Sequence, residues 1–131
     1  MSSYSLRGVD SHGDGSFGAP RGARTHRGLD LYFQPNEPFI VPFDCIYKRK
    51  GTVYSLDNRY KLMEFSGLGR FSDFTFKAMY LDSDESIGAT FKRGQQVGSV
   101  QDIGNKYNGI TPHIHFELYK NGNLVNPEKY I

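Results

Sequence analysis

From residue 28 onward, short apolar runs alternate with turn residues, and the 3.6-residue period of a helix is nowhere sustained. "GLDLYF" (28–33) and "PFIVPF" (38–43) are compact apolar runs. "CIYKRKGTVYSL" (45–56) reads as two strands about a Lys50–Gly51 turn. "YKLMEF" (60–65) and "DFTFKAMYL" (73–81) follow, with Asn58, Gly67 and Gly69 supplying the breaks. "KRGQQVGSV" (92–100) reads as a turn leading into a short strand, and "HIHFELY" (113–119) and "LVNP" (124–127) flank Asn121–Gly122, a strong hairpin signal. "DSDESIGATF" (82–91) has room for a single helical turn, limited by Gly88 and its β-branched residues. This pattern predicts an all-β chain, mainly antiparallel sheet in a sandwich or partly open barrel, with few or no helices. Residues 1–25 are rich in Gly, Ser, Arg and Asp and carry no period. We read 1–15 as an irregular segment that gains order only by lying on the core, and 16–131 as one β domain.

Composition narrows the picture. A chain of 131 residues with 37% hydrophobic content, nine Tyr and ten Phe supports one core. Fifteen Gly and six Pro suit a turn-rich β protein better than a helical bundle. A formal charge of +2, with no basic run beyond "YKRK", gives no footprint for nucleic acid. No 18-residue apolar window is present, so no membrane insertion by a helix is expected. Cys45 stands alone, which excludes an intrachain disulfide and a multi-cysteine zinc site. "MSSYSLRGVDSHGDGS" contains no apolar h-region, so we expect no signal peptide, synthesis in the cytoplasm, and action at the cell wall or periplasm only after delivery by another system.

The candidate chemistry lies in "GITPHIHFELY" (109–119), which holds two of the four histidines. Side chains alternate along a strand, so His113, His115 and Glu117 share one face while Ile114, Phe116 and Leu118 share the other. One reading makes the polar row the outer face of an edge strand. The other draws on "THRGLDLYF", where His26 and Asp30 stand four apart with Gly28 between them. An extended chain with a glycine at that point can bring both side chains round one ion. Imidazole nitrogens and a carboxylate oxygen suit zinc, and three protein ligands plus an open position make a catalytic site. His26, Asp30 and one histidine of the pair supply that count. The remaining imidazole is then placed to take a proton from water beside the metal.

These pieces, "SFGAPRGARTHRGLDL", "PFIVPFDCIYKRKGTV", "FKRGQQVGSV", "GITPHIHFELYKNG" and "LVNPEKY", resemble in order the lysostaphin-type (LytM-like) zinc metallopeptidases, from about residue 16 to the C-terminus. The resemblance implies one zinc per chain held by His26, Asp30 and His115, with His113 as general base. It also implies a small antiparallel β domain with a groove floored by the metal, acting on peptidoglycan peptides. One departure stands out. The family carries a further histidine in a T-x-Y-x-H-L stretch, and here "FKAMYL" puts Tyr80 at the histidine position and Ala78 at the tyrosine position. The non-enzymatic leukocyte cell-derived chemotaxins are similar in keeping the zinc triad while losing that histidine. Tyr80 therefore either takes over hydrogen bonding to the oxyanion or packs beneath the groove.

Glu117 is a candidate to orient a ligand ring, with a surface ion pair as the alternative. Arg21 and Arg24 flank the first metal motif, and either can clamp a substrate carboxylate or stay solvated. His12 and Asp14 read as surface residues of the N-terminal segment, with substrate contact or a fourth ligand as the alternatives for His12. The resulting expectation is a zinc endopeptidase of bacterial cell wall, delivered by a phage particle, a lysis system or a secretion apparatus. The alternative is a catalytically silent zinc-binding interaction protein. "KRGQQVGSV" is also similar to the turn region of biotinyl or lipoyl carriers, but Lys77 sits in mid-strand, not on a hairpin tip.

Overall fold

Strand alternation organises the molecule around its central histidine strand. The computed structural model describes residues 4–10, 13–21 and 24–131. Its strands are β1 (Ser5–Leu6), β2 (Val9–Asp10), β3 (Gly13–Asp14), β4 (Pro20–Arg21), β5 (Arg24–Thr25), β6 (Leu29–Tyr32), β7 (Pro38–Ile40) and β8 (Cys45–Tyr54). They continue with β9 (Asp57–Gly67), β10 (Phe74–Met79), β11 (Leu81–Asp82), β12 (Thr90–Phe91), β13 (Gln96–Val100), β14 (His113–Lys120) and β15 (Asn123–Val125). The main sheet has eight strands in the order β1-β6-β14-β10-β9-β8-β12, with β15 also on β14, and a three-stranded sheet runs β11-β13-β7. All described pairings are antiparallel. Helical structure among the described residues is confined to three-residue 3₁₀ turns at Gly69–Phe71, Ile103–Asn105 and Pro127–Lys129. The chain is all-β, as the pattern predicts. No described helix is long and apolar enough to cross a membrane.

On one face of β14, Ile114, Phe116 and Leu118 are fully buried. Phe116 stacks on Phe76 with ring centroids 5.1 Å apart, and Phe76 stacks on Phe65 at 4.7 Å. Phe43 closes the column edge-on to Phe76. Offset aromatic pairs of this kind add to the burial of large apolar area. Along one edge, the first half of β14 pairs with β6 and the second half with β15. Asn121 and Gly122 join β14 to β15 with φ of 51° and 81°, the left-handed pair that a tight primed turn requires.

Two expectations need correction. Lys50–Gly51 is not a turn: β8 runs unbroken from Cys45 to Tyr54, and the chain reverses at Ser55–Leu56. Lys48, Arg49 and Lys50 are exposed, so this ribbon extends past the core and its polar run no longer marks a loop. Asn58, expected as a break, lies inside β9 for the same reason. The described part of residues 1–15, read as gaining order only by lying on the core, includes three two-residue strands, with β1 covering the edge of β6. Strands that short carry no periodic signal, and an open edge is a natural place to recruit one.

Between β10 and β11, Tyr80 takes φ of 71°. A left-handed backbone at a bulky residue costs on the order of 1–3 kcal/mol and persists only where its surroundings impose it. Here the Tyr80 N–H donates to the Lys61 carbonyl and its own carbonyl accepts from the Gln101 N–H, each at 2.8 Å. Phe116→Ala is expected to lower unfolding stability by about 3–5 kcal/mol. A urea titration of the metal-free protein measures it, and a loss below about 1 kcal/mol would contradict the placement of the core.

Candidate metal centre

The polar face of β14 gathers the site. His115 lies opposite Asp30 of β6 in the antiparallel register. His26 reaches the same point because the chain entering β6 passes hard against β14 at Gly28. A Cβ on Gly28 would stand 2.5 Å from the Phe116 carbonyl oxygen and 2.8 Å from His115 Nε2, so only glycine permits the crossing. The His26 N–H donates to the Ala19 carbonyl at 2.7 Å, and its carbonyl accepts from Gly18 N–H at 2.9 Å.

Each ring is fixed from behind. His26 Nδ1 donates to the Ser16 carbonyl oxygen at 2.9 Å, which leaves the Nε2 lone pair facing the site. His115 Nε2 donates to Glu117 Oε2 at 2.9 Å, leaving Nδ1 inward. The other Glu117 oxygen accepts from the Tyr119 hydroxyl at 2.5 Å. His26 Nε2 and His115 Nδ1 lie 2.9 Å apart, and Asp30 Oδ1 lies 3.2 Å from the first and 3.0 Å from the second. With their outer nitrogens committed as donors, the inner nitrogens of the two rings can hold one another and Asp30 Oδ1 only through a proton or a cation between them. Such an arrangement demands a positive centre, either a proton or a cation. Tetrahedral zinc with bonds near ~2.1 Å spaces its ligand atoms ~3.4 Å apart, so a small spreading of these donors suffices. His26, Asp30 and His115 form a group able to hold a metal ion, and the donor set fits.

The electrostatics agree. Burial opposes charge on Asp30, but hydrogen bonds from His115 and His26 outweigh it and hold the carboxyl well below its ordinary range. Burial likewise opposes charge on His115, yet Asp30 and Glu117 push the ring up to about 9. A proton is thus the alternative occupant, and a divalent cation replaces it. Asp30 Oδ2 accepts from Arg7 Nη1 at 2.7 Å, and Arg7 is itself held by Asp10 at 2.8 Å. Asp10 also accepts the Thr111 N–H at 2.7 Å. Arg7 therefore occupies the second carboxylate oxygen and leaves Oδ1 for the ion.

His113 stands beside this group without joining it. Its Nδ1 donates to the Thr111 carbonyl at 2.7 Å, and its Nε2 is 3.5 Å from Asp30 Oδ2. Burial lowers its pKa, so the ring is a neutral base near neutrality. The Tyr80 ring sits edge-on to His113 at 5.8 Å, and its hydroxyl lies 2.7 Å from that of Tyr54. Burial pushes the Tyr80 phenol up to about 12, keeping its proton in place as a donor. His26, Asp30, His113, His115, Glu117, Tyr54 and Tyr80 line one groove of about 480 Å³.

The structure thus brings together His26, Asp30, His113, His115, Glu117 and Tyr80. His12 lies outside the described residues, as do the side chains of Asp14, Arg21 and Arg24. Sequence reading missed Arg7, Asp10, Tyr54 and Tyr107. Arg7 and Asp10 sit in a segment without periodicity, and the two tyrosines are isolated in sequence from any motif. Only the fold makes them neighbours of the metal group.

No family model matches the chain. In sequence it is 29% identical over 137 residues to leukocyte cell-derived chemotaxin-2 of Bos taurus, across 99% of this chain and 82% of that protein. It is 27% identical over 107 residues to an uncharacterised metalloprotease of Haemophilus influenzae, across 79% of this chain but 20% of that protein. The chain therefore spans only about a fifth of the latter relative's length. In structure it matches the catalytic domain of the antimicrobial peptidase lysostaphin from Staphylococcus simulans at a TM-score of 0.67 and 20% identity, over 90% of this chain and 89% of that one. The fold is that of the lysostaphin-type peptidase domains, as the motif order predicts.

Glu117→Ala removes the acceptor that fixes the His115 ring and is expected to weaken metal binding about 10–100-fold. Competition with a chromophoric chelator reads this directly, and an unchanged affinity would contradict the orienting role.

Proposed function

We propose that this chain is a zinc-dependent endopeptidase that hydrolyses peptide bonds of bacterial cell-wall peptidoglycan, with His26, Asp30 and His115 as the ligands of one zinc ion. The observation that carries this reading is the convergence of three lone-pair donors beside a neutral, separately anchored imidazole in an open groove. The chemistry that zinc supplies when bound is polarisation of a carbonyl and acidification of water from ~15.7 to roughly 7. His113 takes the proton of the attacking water at Nε2 and returns it to the leaving amine. Its Nδ1 bond to Thr111 keeps Nε2 turned into the groove through both transfers. The Tyr80 hydroxyl donates to the carbonyl oxygen as negative charge gathers there, in the role the resemblance gives to histidine. Arg7 holds Asp30 Oδ2 throughout and leaves Oδ1 for the ion.

A second reading, zinc binding without hydrolysis, is favoured by the Tyr80 hydroxyl, which already has a partner in Tyr54. Peptide release from purified peptidoglycan, with and without chelator, separates the two. The enzyme reading expects chelator-sensitive release, and His113→Ala to lower turnover by about 10²–10⁴-fold while one equivalent of zinc stays bound. Release indifferent to chelator, or a fully active His113→Ala variant, would contradict it.

A further inference from the structure

The hydroxyls of three tyrosines form a chain that ends beside the metal group. Tyr54 at the end of β8 places its hydroxyl 2.7 Å from that of Tyr80 and 2.5 Å from that of Tyr107. Each hydroxyl owns one proton. If Tyr54 donates to Tyr80, then Tyr107 donates to Tyr54, and the Tyr80 proton is released for a third partner. If Tyr54 donates to Tyr107, then Tyr80 must donate to Tyr54, and no proton is left for the groove. Tyr54 can also accept from both neighbours, which again spends the Tyr80 proton, so Tyr80 has a proton for the groove only when Tyr54 donates to it, and Tyr54 is the switch.

Three features of the surroundings bear on which sense prevails. The Tyr80 backbone is held at φ of 71°, which fixes the ring between the edge of Tyr60 at 6.0 Å and the edge of His113 at 5.8 Å. Lys106 Nζ lies 4.6 Å over the Tyr54 ring and 5.9 Å over the Tyr107 ring, at the far end of the chain from Asp30. A cation over a phenol ring draws electron density from it and makes its hydroxyl the better donor. Lys106 is in turn placed by Asp57 Oδ2 at 3.6 Å. The positive charge thus favours donation from Tyr107 and Tyr54 toward Tyr80.

We propose that Tyr54, backed by Tyr107, is a positioning residue that turns the Tyr80 hydroxyl proton into the groove, so that the site recognises a tetrahedral oxygen bearing negative charge. The proposal rests on the hydrolase reading above and names a device within it. Neighbouring hydroxyls in such a chain polarise one another, so Tyr80 donates more strongly than an isolated phenol. Tyr54 lines the groove but acts through the Tyr80 hydroxyl, and Tyr54→Phe keeps the ring that Lys106 and Tyr60 pack against while removing only the switch.

The test is a double-mutant cycle on the zinc-loaded full chain, with Tyr54→Phe, Tyr80→Phe and the pair together. A peptidoglycan peptide gives kcat and KM, and calorimetry with a phosphinic peptide, whose tetrahedral oxygens imitate the charged oxygen, gives an affinity independent of turnover. Tyr54→Phe is expected to lower kcat by roughly three- to tenfold with KM changed by less than about twofold. Phosphinic peptide affinity should fall by the same factor, with zinc affinity unchanged. In the Tyr80→Phe background the Tyr54 substitution should have no further effect on either quantity. Additive effects of the two substitutions, or a Tyr54→Phe variant equal to wild type while Tyr80→Phe is impaired, would overturn the relay and leave the hydrolase reading standing. A wild-type protein that neither cuts the peptide nor binds the phosphinic analogue would overturn both.

Discussion

Three ligand atoms pointing at one spot, which only a shared proton or a cation can hold together, are the constraint on which the site depends. Imidazoles whose outer nitrogens donate to Ser16 and Glu117 turn their inner nitrogens to one point, and Asp30 adds a charge in a place nearly closed to water. Left alone, such a cluster repels itself. Arg7 neutralises one carboxylate oxygen, and a cation or a proton must satisfy the rest. Much of the surrounding detail follows from this need. The turn at residues 15–19 presents the carbonyl that fixes His26, and the N-terminal segment lies over the sheet edge so that Arg7 can reach Asp30.

The same register that builds the core builds the site. Ile114, Phe116 and Leu118 are locked into the aromatic column, which forces His113, His115 and Glu117 to the opposite face. A slip of one residue would exchange the two sets and bury imidazoles against Phe76. Because burying unpartnered polar groups costs several kcal/mol, apolar packing on one side holds the ligand geometry on the other. The long β8–β9 ribbon adds a second consequence. It carries Tyr54 out past the core to where it meets Tyr80 and Tyr107 over the groove.

What the sequence disclosed and what it hid follow the same physics. Strict alternation at 113–118 is a local signal, and it assigned each side chain to its face correctly. The His26-to-Asp30 spacing with an intervening glycine was legible too, because close approach to a neighbouring strand leaves glycine no substitute. The Asn121–Gly122 turn was readable since its left-handed backbone restricts the residues that fit. Lys50–Gly51 misled because a polar run ending in glycine looks alike in a loop and in an exposed ribbon, and only long-range pairing with β9 tells them apart. Arg7 could not be read as a partner of Asp30, since nothing local links residues 23 positions apart. Tyr80 was noticed only as a departure from a motif. Its bond to Tyr54, 26 positions away, needed the fold.

The account stands or falls on the coordination sphere. Zinc K-edge X-ray absorption on protein titrated with one equivalent of metal reports ligand type and number directly. The expected spectrum contains two imidazole shells and light oxygen donors at ~2.0–2.1 Å in a four-coordinate site, and it changes by the loss of one imidazole in a His26→Ala variant. A sphere without imidazole scattering, or one identical in wild type and variant, would contradict the assignment of these three side chains to a single ion.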